Sequence, residues 1–259
     1  MDHADYNYLK KFFKSYTSQF LKQEKNFEPF EIKIVHTKNV CDNIKILTQE
    51  MNWNSAEFYK AIATGLLHDI GRFPQYKKYG TFNDALSFNH GALGVEVIRK
   101  HKILSNIEKT EKQQIIKAVA LHNVFSLPNN LNLETLELTR LIRDADKLDI
   151  YRVMIELYKG TTPGKTSFIT HHLPNDGHVS TNLIENIENG QLIDIRNVKT
   201  LNDMKLLQIS WIFDLNFPIS LNLVRERNYI EAILSSMPQS IKLERVRKAA
   251  RIYLNRYLY

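Results

Sequence analysis

Apolar residues recur at intervals of three and four along almost the whole of this chain, and that period limits most strongly what it can fold into. Only "QLIDI" at 191–195 offers a short alternative that would suit a strand. A chain of this kind builds helices that each bury one stripe, so an all-α architecture is predicted. Nine glycines and seven prolines in 259 residues leave few interruptions. The periodicity places helices near 4–23, 31–52, 55–69, 90–101, 111–123, 133–158, 181–189, 201–215, 218–236 and 240–258. Asn54 and Thr110 are candidate N-caps, and "TLND" at 200–203 resembles a capping box with Asp in place of Glu.

Two segments escape the pattern. Residues 70–89 carry Arg72, Gln75, Tyr76, Lys77 and Lys78, and residues 159–180 form a longer loop. Loops of that length in a compact fold are usually functional or mobile. The second loop divides the chain into a helical core, 1–158, and a C-terminal loop and helical extension, 159–259, expected to pack on the core as one unit.

Composition removes several classes. At 43% hydrophobic residues a sizeable core is available, and disorder is not expected. The single Cys41 excludes an internal disulfide and any multi-cysteine metal site. "MDHADYNYLKKFF" lacks an apolar leader pattern, and no run reaches the roughly 18 apolar residues of a membrane span. A cytoplasmic protein is the expectation. Net charge is +7, but six basic residues within 240–259 against Glu244 supply five of those charges. The basicity thus belongs to one terminal helix, whose apolar stripe is Leu243, Val246, Ala250, Tyr253 and Tyr257. Its basic face would suit nucleic acid or anionic lipid; docking by the stripe, with charges left to water, is favoured.

Several ionisable residues fall on apolar helix faces. His36 lies in line with Ile32, Val40 and Leu47, and Asp69 follows Ile62, Gly65 and Leu66. His68 sits over Ala61 and Gly65, where a second helix can approach closely. His90 leads a face with Leu93, Gly94 and Val97, and His122 follows Ile115, Ala118 and Val119. In "LIRDADKLDIY", Asp146 is flanked by Ile142 and Ile150, whereas Asp144 faces Arg140 and Lys147, so Asp146 reads as buried and Asp144 as solvated. Any one inward histidine is most simply a hydrogen-bonded core residue. Six such groups together would cost several kcal/mol each unless paired or coordinated to metal. Imidazole and carboxylate donors suit Mn, Fe, Ni, Zn or Mg. Adjacent residues such as His68 and Asp69 diverge by about 100° on a helix, and a carboxylate can bridge. Six ligands suit a pair of divalent ions roughly 3.5–4 Å apart better than a single ion with an open position.

The ordered set of His36, His68–Asp69 followed by Ile70–Gly71, His90, His122 and Asp146 in "DADKLD" resembles the H…HD…H…H…D signature of the HD-domain superfamily over roughly residues 30–155. The resemblance implies an all-α HD-domain bundle, here with the C-terminal extension. It implies a first metal held by His36, His68, Asp69 and Asp146, with Asp69 bridging to a second site completed by His90 and His122. Members are mostly metal-dependent phosphomonoesterases and phosphodiesterases acting on nucleotides, and a minority are di-iron oxygenases. Arg72 stands where one nucleotidase branch has glutamate. A basic residue there resembles the cyclic-dinucleotide phosphodiesterase branch, but "HNVFSLPNN" lacks that branch's glycine-tyrosine-proline motif, so no such substrate is assigned. "LLQISWIFDLNFP" at 206–218 resembles uncharacterised bacterial HD proteins.

The chemistry expected is hydrolysis of a phosphomonoester or phosphodiester, a nucleotide or small organophosphate, by hydroxide that two close cations generate at neutral pH. Asp69 would be central to it. Arg72, and after it Lys147, are the candidates to meet charge on the phosphoryl oxygens, the alternative being surface ion pairing such as Lys147 with Asp144. Lys77 and Lys78 could guide an anion. A di-iron oxygenase and a non-catalytic signalling module are the competing functions. "GTTPGKT" at 160–166 has too few residues between its glycines for a phosphate-binding P-loop and is rejected as an ATP site. His3, His101, His171, His172 and His178 read as ordinary terminal, helix-end or loop residues.

Overall fold

The computed structural model describes all residues except Lys25, Asn52, 161–172 and 257–259, so the P-loop-like segment and most of the 159–180 loop, with His171 and His172, lie outside the described residues. The chain is all-α, and no strand occurs among the described residues. In order, the helices are α1 (His3–Gln23), α2 (Glu28–Gln49), α3 (Ser55–Leu67), α4 (Arg72–Tyr79), α5 (His90–Lys100), α6 (Lys109–Leu121) and α7 (Leu133–Tyr158). There follow α8 (Thr181–Glu188), α9 (Leu201–Ser210), α10 (Pro218–Glu226), α11 (Tyr229–Ser235) and α12 (Ile241–Asn255). Short 3₁₀ turns occupy Asp84–Leu86, Ile195–Asn197 and Trp211–Asp214.

The boundaries follow from local chemistry. Asn54 caps α3 by accepting from the Ala56 and Glu57 amides, and Glu57 returns the bond. Thr200 caps α9 through the Asp203 amide. The expected Thr110 cap is replaced by Glu108, whose carboxylate accepts from the Thr110 and Glu111 amides. Residues 70–89, read as irregular, contain α4 and a 3₁₀ turn. Pro74 is compatible with helix because it falls in the first turn, where its missing N–H has no partner to lose. Gly80, at φ 66°, ends that helix. The helix expected over 218–236 is two helices, broken where Asn228 takes φ 54°. "QLIDI" is not a strand but runs into the turn at Ile195.

The chain forms two compact units, Met1–Asp149 and Ile150–Tyr259. In the first, α3 packs on α1, α2 and α6, while α5 packs on α4 and α6. Phe20, Phe30 and Phe73 form an aromatic cluster with centroids 5.3–6.1 Å apart. Gly65 lets α2 approach α3 closely, with Ile44 and Val40 filling the space a side chain would take. In the second unit, α12 packs on α8, α10 and α11. It buries Leu243, Val246, Ala250 and Leu254, and Tyr253 meets Phe213 edge-on. Tyr257 lies outside the described residues. Arg245 pairs with Glu188, while Arg247 and Arg251 pair with Glu231. No helix among the described residues is long and apolar enough to cross a membrane.

Candidate metal centre

The first unit draws His36 from α2, His68 and Asp69 from the end of α3, His90 from the start of α5, His122 from the end of α6 and Asp146 from α7 into one cluster. All four histidines and Asp69 are buried. Each histidine has its Nδ1 committed to an acceptor. His68 donates to the Gly65 carbonyl at 2.6 Å and His122 to the Val119 carbonyl at 2.8 Å, both one turn back on their own helices. His36 meets Asp149 and His90 meets Asp84, each at 2.7 Å. The four Nε2 atoms are thereby left for the interior of the cluster, where they pair off: His36 with His68 at 3.4 Å, and His90 with His122 at 3.0 Å.

Asp69 lies between the pairs. Its Oδ2 is 3.5 and 3.7 Å from the Nε2 atoms of His36 and His68, and its Oδ1 is 3.4 and 3.8 Å from those of His90 and His122. Asp146 joins the first pair, with Oδ1 3.0 Å from His36 and 3.7 Å from His68. Two donors at about 2.1 Å from a common ion, at bond angles between square and tetrahedral, are about 3.0–3.4 Å apart. The histidine pairs have that spacing, and both groups, His36–His68–Asp69 and Asp69–His90–His122, could hold an ion. The donor chemistry also fits. With Nδ1 protonated, the His90 and His122 lone pairs oppose one another across 3.0 Å, a repulsion that a cation between them removes.

Electrostatics prepare the same place. Burial works against ionisation of Asp69 and Asp146. Lys33 and His68 beside the former, and His36 and His68 beside the latter, nonetheless hold both carboxyls well below their usual range. Burial and Arg72 push His90 down to about 3, so it is neutral and ready to ligate. Burial and Lys33 oppose a proton on His36, but its bonds to Asp146 and Asp149 prevail and raise it to about 9. An ion held there would have to displace that proton.

The two cations singled out from sequence are placed differently. Arg72 lies beside the cluster, with Nε 3.4 Å from Asp69 Oδ1 and Nη1 donating to Gln75, Asp84 and the Phe82 carbonyl. Lys147 is half-buried in α7 beside Asp146. Asp144, read as solvated, is fully buried, and Asp146 is the more open of the two, its side chain retaining 17% exposure. The reason is that α7 runs through the core with Leu141, Ile142, Arg143, Ala145 and Leu148 all buried, so its faces do not divide into wet and dry. Asp144→Ala should accordingly lower the unfolding free energy by about 2 kcal/mol, read as a drop in the urea midpoint.

Lys33, Asp84, Asn123 and Asp149 were missed. Lys33 bonds Asp69 Oδ2 at 2.7 Å from one turn before His36, and Asp149 lies one turn after Asp146, so helical spacing could have found both. Asp84 and Asn123 meet only through the tertiary fold.

The HD-domain family model matches residues 34–151, a segment that contains every member of the cluster. Over that segment the chain is similar to the HD-domain family, and the clustered histidines and aspartates fit an HD-type metal site. Searches of the curated proteins and of the solved structures found no match to the chain.

Proposed function

We propose that the protein is a phosphohydrolase that cleaves a phosphomonoester or phosphodiester, a nucleotide or another small organophosphate, using two divalent ions. In this reading His36, His68, Asp69 and Asp146 hold one ion, and Asp69, His90 and His122 hold the other. The observation that carries it is the division of Asp69, one carboxylate oxygen toward each histidine pair. When bound, such an ion pair supplies a water of lowered pKa and neutralises phosphoryl charge. The chain's own groups do the rest. Gly65, Val119, Asp84 and Asp149 fix the tautomers of the four histidines. Arg72, held rigid by three acceptors, sets a permanent positive charge beside Asp69 for the phosphoryl oxygens, and Lys147 stands second in that role.

The test is elemental analysis of purified protein followed by a phosphate-release screen over nucleotides and other phosphate esters. Two ions per chain and turnover with Mn²⁺ under nitrogen are expected. Turnover that requires iron and consumes oxygen would instead establish an oxygenase. Metal-replete protein inactive on every ester, yet binding a partner equally well after metal removal, would establish a signalling module.

A further inference from the structure

The two halves of the cluster are not equivalent. The His36–His68 half has two carboxylates, Asp69 and Asp146, and its outer support Asp149 is buried. The His90–His122 half has only Asp69, and its outer support Asp84 comes from a surface turn with 30% of its side chain exposed. Asp84 nonetheless draws four side chains together, His90, Gln75, Arg72 and Asn123. Both its oxygens face His90 Nδ1, at 2.7 and 2.9 Å. Oδ1 also accepts from Gln75 at 2.8 Å and Arg72 at 3.1 Å, and Oδ2 accepts from Asn123, the neighbour of His122, at 2.9 Å. A carboxylate can only accept, so it obliges His90 to carry its proton on Nδ1 and to present Nε2 as a lone pair.

We propose that Asp84 is the positioning residue of the His90–His122 half: it makes His90 a ligand, and that half takes up the weaker, exchangeable ion. This rests on the two-ion reading above. With three donors and one carboxylate against four donors and two, the second half loads after the first. Asp84 acts through His90 and Asn123 rather than by touching an ion, so its loss affects one binding step and not the other.

Stepwise Mn²⁺ titration of ion-free protein, followed by calorimetry and paramagnetic resonance, tests this. Wild-type protein should take up two ions in two steps. Asp84→Asn should leave the first step unchanged and weaken the second about 10–100-fold. Asp84→Glu should recover part of the loss, and Gln75→Ala, which removes a bond to Asp84 without touching His90, should weaken the same step by a smaller factor. Equal affinities for both ions in Asp84→Asn and wild type, or equal weakening of both steps, would overturn the assignment. Fewer than two ions in wild type would overturn it together with the two-ion reading. Two ions with no ester turnover would sink the phosphohydrolase reading and leave Asp84 in its role.

Discussion

Asp69→Ala should leave purified protein with no bound divalent ion in either half and with phosphate-ester turnover reduced by at least about a thousandfold. No other side chain in the cluster faces both histidine pairs, so one substitution removes a donor from each. Charge makes the effect larger than the loss of two donor atoms. Asp69 also balances Lys33, 2.7 Å from Oδ2, and Arg72, whose Nε is 3.4 Å from Oδ1. Without the carboxylate Lys33 loses its ion pair and Arg72 keeps only Asp84, so both cations press on the places where ions would bind, and like charges in a buried setting repel strongly. Asp69→Asn would keep the shape and still lose the charge, so it should behave almost as badly. Elemental analysis after purification, with circular dichroism to confirm the helical fold, reads the outcome. One ion retained at wild-type affinity would mean that Asp69 is not shared between the halves.

The histidines were legible because each sits on a helix whose apolar neighbours recur at three and four. His36 with Val40, His68 with Gly65 and His122 with Val119 follow from spacing alone, and the structure adds that the backbone carbonyls of Gly65 and Val119 take the Nδ1 protons. The same rule misassigned Asp144, because a helix buried on several sides carries no amphipathic signal to separate one aspartate from its neighbour. Helix α4 was hidden by Gly71 and Pro74, residues that punctuate loops and that the first turn of a helix also tolerates. Asp84 was beyond reach for a different reason. Its partners His90, Gln75 and Asn123 come from three elements, and a short surface turn gives no periodicity by which to find it.

The second large effect is expected at Gly71, where the fold and the site depend on one missing side chain. Its φ of −69° is open to any residue, so backbone strain is not the issue. A Cβ there would lie 2.2 Å from the His90 carbonyl oxygen, 2.4 Å from the Gly94 nitrogen and 3.0 Å from the Leu93 carbonyl carbon. All three are backbone atoms of α5, which cannot rotate aside as a side-chain tip can. Gly71→Ala should therefore force α5 off α4, at a cost of about 3 kcal/mol or more. It should also carry His90 away from Asp69 Oδ1, so the second ion is lost even in molecules that stay folded. Gly65→Ala makes the comparison sharp. Its Cβ would meet Ile44 Cδ1 at 2.2 Å, just as close, but that atom is the free end of a side chain with rotamers to spare. It should cost about 1 kcal/mol and spare both ions. Urea unfolding and Mn²⁺ titration of the two variants side by side decide it: a Gly71→Ala protein as stable as Gly65→Ala, with both ions bound, would show that α4 and α5 can part without disturbing the site.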